Sequence, residues 1–199
     1  MSVLLPYTYL GPIHYFSAIA REKRVVLEQH EHFPKQTYRN RCTIYGANGP
    51  LNLVVPTIHI SGERSIALRR IAYDQDWQKL HWKSLETAYR SSPYFEYYED
   101  DLYAILMKKH DFLVDLNREL LNLILGIIDI QAELSETASY EDEFDGIDLR
   151  GAWSPKTGTS EMEDFKRYPQ VFEDRHGFIP NLSIADLIFN QGPNSKDYL

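Results

Sequence analysis

The apolar positions change rhythm along the chain. SVLLPYTYL (residues 2–10) is a nearly unbroken apolar run, the pattern of a short buried strand that ends at Pro6. In GPIHYFSAIAREK, Ile13, Phe16 and Ala20 recur at helical spacing behind Pro12, which suits a first helical turn. RVVLEQHEHF reads as a strand. Two more strands are predicted at about 37–45 and 51–57, joined by GANG, whose glycines and Asn48 supply what a tight reversal requires. Alternation puts Tyr38, Asn40, Cys42 and Ile44 on one face and Arg39, Arg41 and Thr43 on the other. Asn40 then shares a largely apolar face, where a carboxamide must be hydrogen-bonded: it ties down a loop or lines a pocket. Arg39 and Arg41 lie over solvent or floor an anion site, and the alternation does not choose between these.

SIALRRIAY is a further strand candidate. Asp76 is placed to cap DWQKLHWKSLETAYR, a helix with Trp82, Leu85 and Tyr89 in one stripe and Trp77, His81, Leu85 and Ala88 in another. SSPYFEYYEDDLYAILMKKHD turns helical near Glu99. DFLVDLNRELLNLILGII gives the strongest helical signal, with Leu113, Leu116, Leu120, Leu123 and Ile127 in register and Leu121, Leu125 and Ile128 widening the stripe. After residue 130 the rhythm is lost. ETASYEDEFDGIDLRGAWSPKTGTSEMEDF is rich in turn formers, and seven acidic residues fall between Glu133 and Asp148, as in an exposed connector or a lid over a site. Order returns near the end, where Ser183 caps a short helix with Ile184, Leu187 and Ile188, stopped by GlnGlyPro at 191–193. The expected architecture is α/β: one domain over residues 1–199, with a small mixed β-sheet from the N-terminal half and packed helices from the C-terminal half.

Composition agrees with one core. The chain has 199 residues, 43% hydrophobic and 13% aromatic, enough for one sizeable core and short for two domains. The lone cysteine, Cys42, excludes a disulfide framework, a zinc ribbon or a CxxC pair. No signal-peptide pattern is visible, and LLNLILGIIDI (120–130) is too short to span a bilayer, so a cytoplasmic protein without membrane insertion is expected. The net charge of −8 conceals an asymmetry: residues 1–90 hold twelve Lys/Arg against seven Asp/Glu, residues 91–199 nine against twenty-two. No basic stripe of nucleic-acid-binding density is present. The basic front half is suited instead to concentrating a phosphorylated or carboxylated small molecule.

Candidate chemistry is scattered. EQHEH places Glu28, His30 and His32 at alternating positions, which on a strand would share one face within reach of a divalent metal, but no HExxH accompanies them. His14 near the first helix and His81 in the tryptophan-rich helix are candidates for proton transfer, each equally suited to packing. GANGP fits a hairpin better than a nucleotide cradle, and GxSxG is absent. No pattern names a cofactor, and no metal is assigned.

Taken in order, PYTYLGPIHYFSAI, VVLEQHEHFPKQTYRNRCTI, LVVP, W77–Y89 with SPYF, DLNRELL, DLR, YPQVF and GFIPNLSIADLIFNQGP resemble the WbqC-like proteins of bacteria over nearly the whole chain. The family's K-x(n)-NR strand and its NLSI-x-DLLFN-like element direct attention to Lys35, Asn40, Arg41, Arg150, Gln170 and Asp186. At 28–32 relatives more often carry aspartate and glutamine, a departure that weakens a shared histidine metal site. Members are associated with surface-polysaccharide gene clusters, which implies a small-molecule partner such as a nucleotide-activated or amino sugar. Under that reading Arg41 and Arg150 hold a phosphate or carboxylate, with Lys35 as a second cation. Asn40 and Gln170 orient an amide or hydroxyl, and His14 or His81 moves a proton during transfer of an acyl or other small group. The alternative is a non-catalytic protein that positions an activated sugar or a biosynthetic enzyme.

Overall fold

The computed structural model describes residues 2–58, 62, 65–155 and 165–199. Its centre is a parallel sheet that starts with a β-α-β unit: β1 (Val3–Pro6), α1 (Ile13–Glu22) and β2 (Arg24–Glu28). Val3, Leu4 and Leu5 are all buried, which explains why this strand reads as a run rather than an alternation: both of its faces are covered. α1 buries Ile13, Phe16 and Ile19 and stops at Lys23, whose left-handed φ of 58° lets its N–H reach the Ile19 carbonyl.

Two late strands complete the sheet. β7 (Glu133–Glu136) pairs in parallel with β2, and β8 (Ile147–Asp148) pairs in parallel with β1. Both come from the acidic stretch after residue 130, which reads as a connector in the sequence; its later part, residues 156–164, lies outside the described residues. The spatial order is β7-β2-β1-β8. Numbered by their sequence within this sheet, the strands run 3-2-1-4, so the winding direction reverses between β1 and β8. In open α/β sheets, the crevice outside the carboxyl ends of the strands at such a reversal is where ligands bind.

Between β2 and β7 the chain builds the rest of the molecule. β3 (Arg41–Gly46) and β4 (Gly49–Val54) form an antiparallel hairpin, with Gly49 at φ +103°, a conformation that excludes most other residues. β3 starts at Arg41, not near residue 37. Residues 35–40 are turns with Gln36 at φ +61°, so strand alternation does not extend to them, and Arg39 and Asn40 are both buried. SIALRRIAY is a 3-10 turn at Ile66–Leu68 followed by the two-residue β6 (Arg70–Ile71), paired with β5 (Thr57–Ile58).

Three longer helices follow: α2 (Trp77–Tyr89), α3 (Phe95–Met107) and α4 (Leu113–Ile127). Asp76 precedes α2 but makes no capping bond, its carboxylate pairing with Lys79 instead. α4 buries Leu113, Leu116, Leu120 and Ile124 along one stripe, and Leu121 and Leu125 beside it. After the short α5 (Glu173–His176), α6 (Ile184–Gln191) returns to the core. Ser183 caps it, accepting from the Ala185 N–H. The α/β class expected from sequence is the class observed, with the sheet and all the longer helices sharing one hydrophobic core. No helix among the described residues is long and apolar enough to cross a membrane.

Candidate functional site

A crevice of about 940 Å³ opens at the carboxyl ends of β2 and β8, at the reversal of the sheet. The turn after β2 contributes His30, Glu31 and His32, and the turn before β3 contributes Arg39. β8 contributes Asp148, and the segments flanking it contribute Tyr140, Asp142, Arg150 and Trp153.

Two guanidinium groups organise these walls. Arg150 lies across the strand ends. Its Nη1 donates to the Glu28 carboxylate (3.2 Å) and the Glu141 carbonyl (2.8 Å). Nη2 donates to Asp148 (2.6 Å) and the Asp142 carbonyl (3.3 Å), and Nε donates to Asp148. An arginine has five N–H donors, and every one is engaged. Tyr140 stacks over the guanidinium, its ring centroid 5.0 Å away. Glu28 is fully buried and also accepts from the His30 N–H (2.7 Å) and the Thr137 hydroxyl (2.9 Å). The Arg150 guanidinium holds the Asp148 carboxyl below its ordinary range.

Arg39 is differently placed. It is 5% exposed, and it forms a fork with Glu31: Nε and Nη2 donate at 2.5 and 2.6 Å, while Nη2 also donates to the Arg150 carbonyl at 3.0 Å. Burial pushes the Glu31 carboxyl up, and the Arg39 guanidinium opposes that shift. Asn117, buried on α4, fixes the turn by donating to the Arg39 carbonyl at 2.8 Å. Arg39 Nη1 makes no hydrogen bond among the described residues, and it belongs to a side chain that lines the crevice.

Most residues singled out from sequence lie elsewhere. Arg150 lines the crevice; Lys35, Asn40, Arg41, Gln170, His14 and His81 do not. Arg41 and Arg150 therefore do not share this hollow, and Arg39 occupies the place expected for Arg41. Lys35 is exposed on the turn between Pro34 and Thr37, two residues that do line the crevice. Asn40 ties down a loop: its Nδ2 donates to the Val55 carbonyl at 2.9 Å. His14 is half-buried against Phe165, and burial lowers its pKa. His81 is buried between Tyr9 and Trp77, hydrogen-bonded to the Tyr9 hydroxyl at 2.8 Å, and burial pulls it down to about 4, so it is neutral at pH 7.

Gln170 and Asp186 belong together in the core. Asp186 accepts from the hydroxyls of Tyr89 (2.8 Å) and Tyr168 (2.6 Å) and from Gln170 Nε2 (3.2 Å). Gln170 also exchanges bonds with the backbone of Ile179, which pins the turn around α5. Burial raises the Asp186 carboxyl to about 6, against the three donors.

The EQHEH alternation ends with β2 at Glu28, so His30 and His32 sit in the following turn rather than on a shared strand face. His30 Nε2 lies 3.1 Å from the Thr137 carbonyl, and His32 is exposed. No group of three His, Cys, Asp or Glu among the described residues is placed to hold a metal ion. Cys42 is buried, and desolvation pushes its thiol up, away from the thiolate form.

The model of the WbqC-like protein family matches residues 6–150, from the end of β1 through Arg150. The chain belongs to the WbqC-like protein family. It is also similar to a protein named "Uncharacterized protein Rv1507c" from Mycobacterium tuberculosis (strain ATCC 25618 / H37Rv), 29% identical over an alignment covering 93% of this chain and 91% of the relative. No solved structure matches. The family match takes in β2, β8 and most of the crevice walls, while Trp153 and the Gln170–Asp186 network lie beyond it.

Proposed function

We propose that this protein binds a nucleotide-activated amino sugar in the crevice and transfers a small acyl group to the sugar amine. The supporting observation is the crevice itself. It lies at the strand-end reversal of a parallel sheet, and its walls combine the rings of Trp153 and Tyr140 with planar carboxylate and guanidinium groups. Rings cover the apolar face of a pyranose, and planar polar groups match its hydroxyls. The association of WbqC-like proteins with surface-polysaccharide gene clusters supports a sugar as the acceptor.

In the transfer, the neutral amine attacks the carbonyl of an activated acyl donor, a carbon–nitrogen bond forms and the donor's leaving group departs. The proton lost by the amine needs a base. His32 is suited to that role: it lines the crevice, and its imidazole has no hydrogen-bond partner among the described residues. His30 is the neighbouring imidazole. Among the described residues no group orients His32 as a base, which favours a second reading, a protein that binds the activated sugar without acting on it.

Incubation with UDP-amino sugars and acyl thioesters, followed by mass spectrometry, separates the two. The expected result is a mass gain on the sugar, with the rate reduced about a hundredfold or more in His32→Ala and ligand affinity retained. Binding without any mass gain supports the second reading. A failure of every UDP-amino sugar to raise thermal stability overturns both.

A further inference from the structure

We infer that the crevice takes the sugar end of its ligand, amine foremost, and leaves the diphosphate in solvent. This rests on the activated-sugar reading above and adds the orientation, the recognised chemical group and the residues that read it. The sequence directs attention to arginines as phosphate holders, and the geometry points the other way.

Phosphate recognition needs guanidinium donors that are free and a charge that is uncompensated. Arg150 has neither: its five donors are engaged by Glu28, Asp148 and two carbonyls. Arg39 is matched by Glu31 through a two-point fork. Three carboxylates, those of Glu31, Asp142 and Asp148, line the crevice against these two guanidiniums, and Glu28 lies buried beneath Arg150. Among the described lining residues, leaving the imidazoles aside, carboxylates outnumber guanidiniums three to two. A diphosphate brought here would meet like charge in a partly desolvated setting, whereas a protonated amine would meet opposite charge.

Besides the His32 imidazole, two groups among the described residues remain for a ligand. The Asp142 carboxylate is exposed in the crevice wall and makes no hydrogen bond among the described residues; only its backbone carbonyl is used, by Arg150. Arg39 Nη1 offers donors from a side chain that is almost fully buried and locked by its other nitrogens. A guanidinium already neutralised by Glu31 still donates well to a neutral hydroxyl or carbonyl oxygen. Asp142 reads the amine as a cation, Arg39 Nη1 reads a ring oxygen substituent, and Trp153 and Tyr140 supply the ring faces. The protonated amine binds beside Asp142, gives its first proton to solvent to become the neutral nucleophile, and loses the second to His32 as the carbon–nitrogen bond forms.

Calorimetric titrations with UDP-glucosamine, methyl glucosaminide, methyl glucoside and UDP test this. Methyl glucosaminide is expected to bind within about tenfold of UDP-glucosamine. UDP alone is expected to bind at least a hundredfold more weakly, and methyl glucoside at least tenfold more weakly than the aminosugar. Asp142→Asn is an exposed, isosteric change that leaves the fold intact. It is expected to weaken the aminosugars about tenfold and leave UDP unaffected. UDP binding as tightly as UDP-glucosamine, with Asp142→Asn tightening both, overturns the orientation while the activated-sugar reading stands. Failure of UDP-glucosamine and its relatives to bind at all overturns both.

Discussion

Arg150→Ala lowers the unfolding free energy at pH 7 by about 3–5 kcal/mol, the size expected when one partner of a buried ion pair is removed. The reason lies in what the substitution leaves behind. Glu28 is 0% exposed at the end of the second strand, and Arg150 is its only cationic partner among the described residues. Asp148 and the carbonyls of Glu141 and Asp142 lose their shared donor at the same time. Urea denaturation followed by circular dichroism measures the loss, which corresponds to a fall in Tm of about 10 °C for a chain of this size. Replacing both partners, as in Glu28→Leu with Arg150→Met, is expected to recover most of the stability, because no buried charge is left unpaired and the Asp148 carboxylate is open to solvent. A single-variant loss below about 1 kcal/mol would mean that the pair behaves as a solvated surface bridge.

The second large effect is a pH dependence. Asp186 is fully buried and its carboxyl is raised from 3.8 to about 6 in the folded protein. A group whose folded pKa is raised binds its proton more tightly when folded. Its contribution to stability is therefore complete below about pH 4 and is lost as the pH climbs through 6. The full swing is on the order of 3 kcal/mol, since each tenfold gain in proton affinity on folding contributes about 1.4 kcal/mol. In Asp186→Asn this swing is absent, so the difference in unfolding free energy between the wild type and the variant shrinks by that amount from pH 4 to pH 7. Denaturant titrations at four pH values across the range supply the comparison. A difference that stays flat would show that the donors from Tyr89, Tyr168 and Gln170 fully offset burial.

The sequence made the central fold readable where burial and periodicity agree. Val3, Leu4 and Leu5 form a run because both faces of their strand are covered, and the leucines of residues 113–125 mark one helical stripe. The outer strands of the parallel sheet left no such trace. Glu133–Glu136 and Ile147–Asp148 each carry a single half-buried apolar residue, Leu134 and Ile147, and are defined by backbone pairing rather than by side-chain pattern. Charge at these positions keeps an outer strand from pairing further, and the same charge gives the sequence the look of a connector. Alternation failed at residues 35–40 for a local reason: Gln36 adopts a left-handed φ, and the chain turns instead of extending. The turn hid Arg39, whose partner Glu31 is eight residues away across it. Arg150 was reachable only through the family resemblance, because no local spacing announces a side chain that bridges to Glu28, 122 residues away.

The path of the chain through its parallel sheet also constrains how the molecule is made. The first strand is central, and it finds one neighbour within twenty-odd residues but the other only at Ile147–Asp148. During synthesis, the first strand must wait with one side unmet until the chain has emerged as far as Asp148. Such distant pairings make folding slow, and a nascent strand so exposed is a template for joining another copy. Chains interrupted before Asp148 are thus expected to accumulate in inclusion bodies.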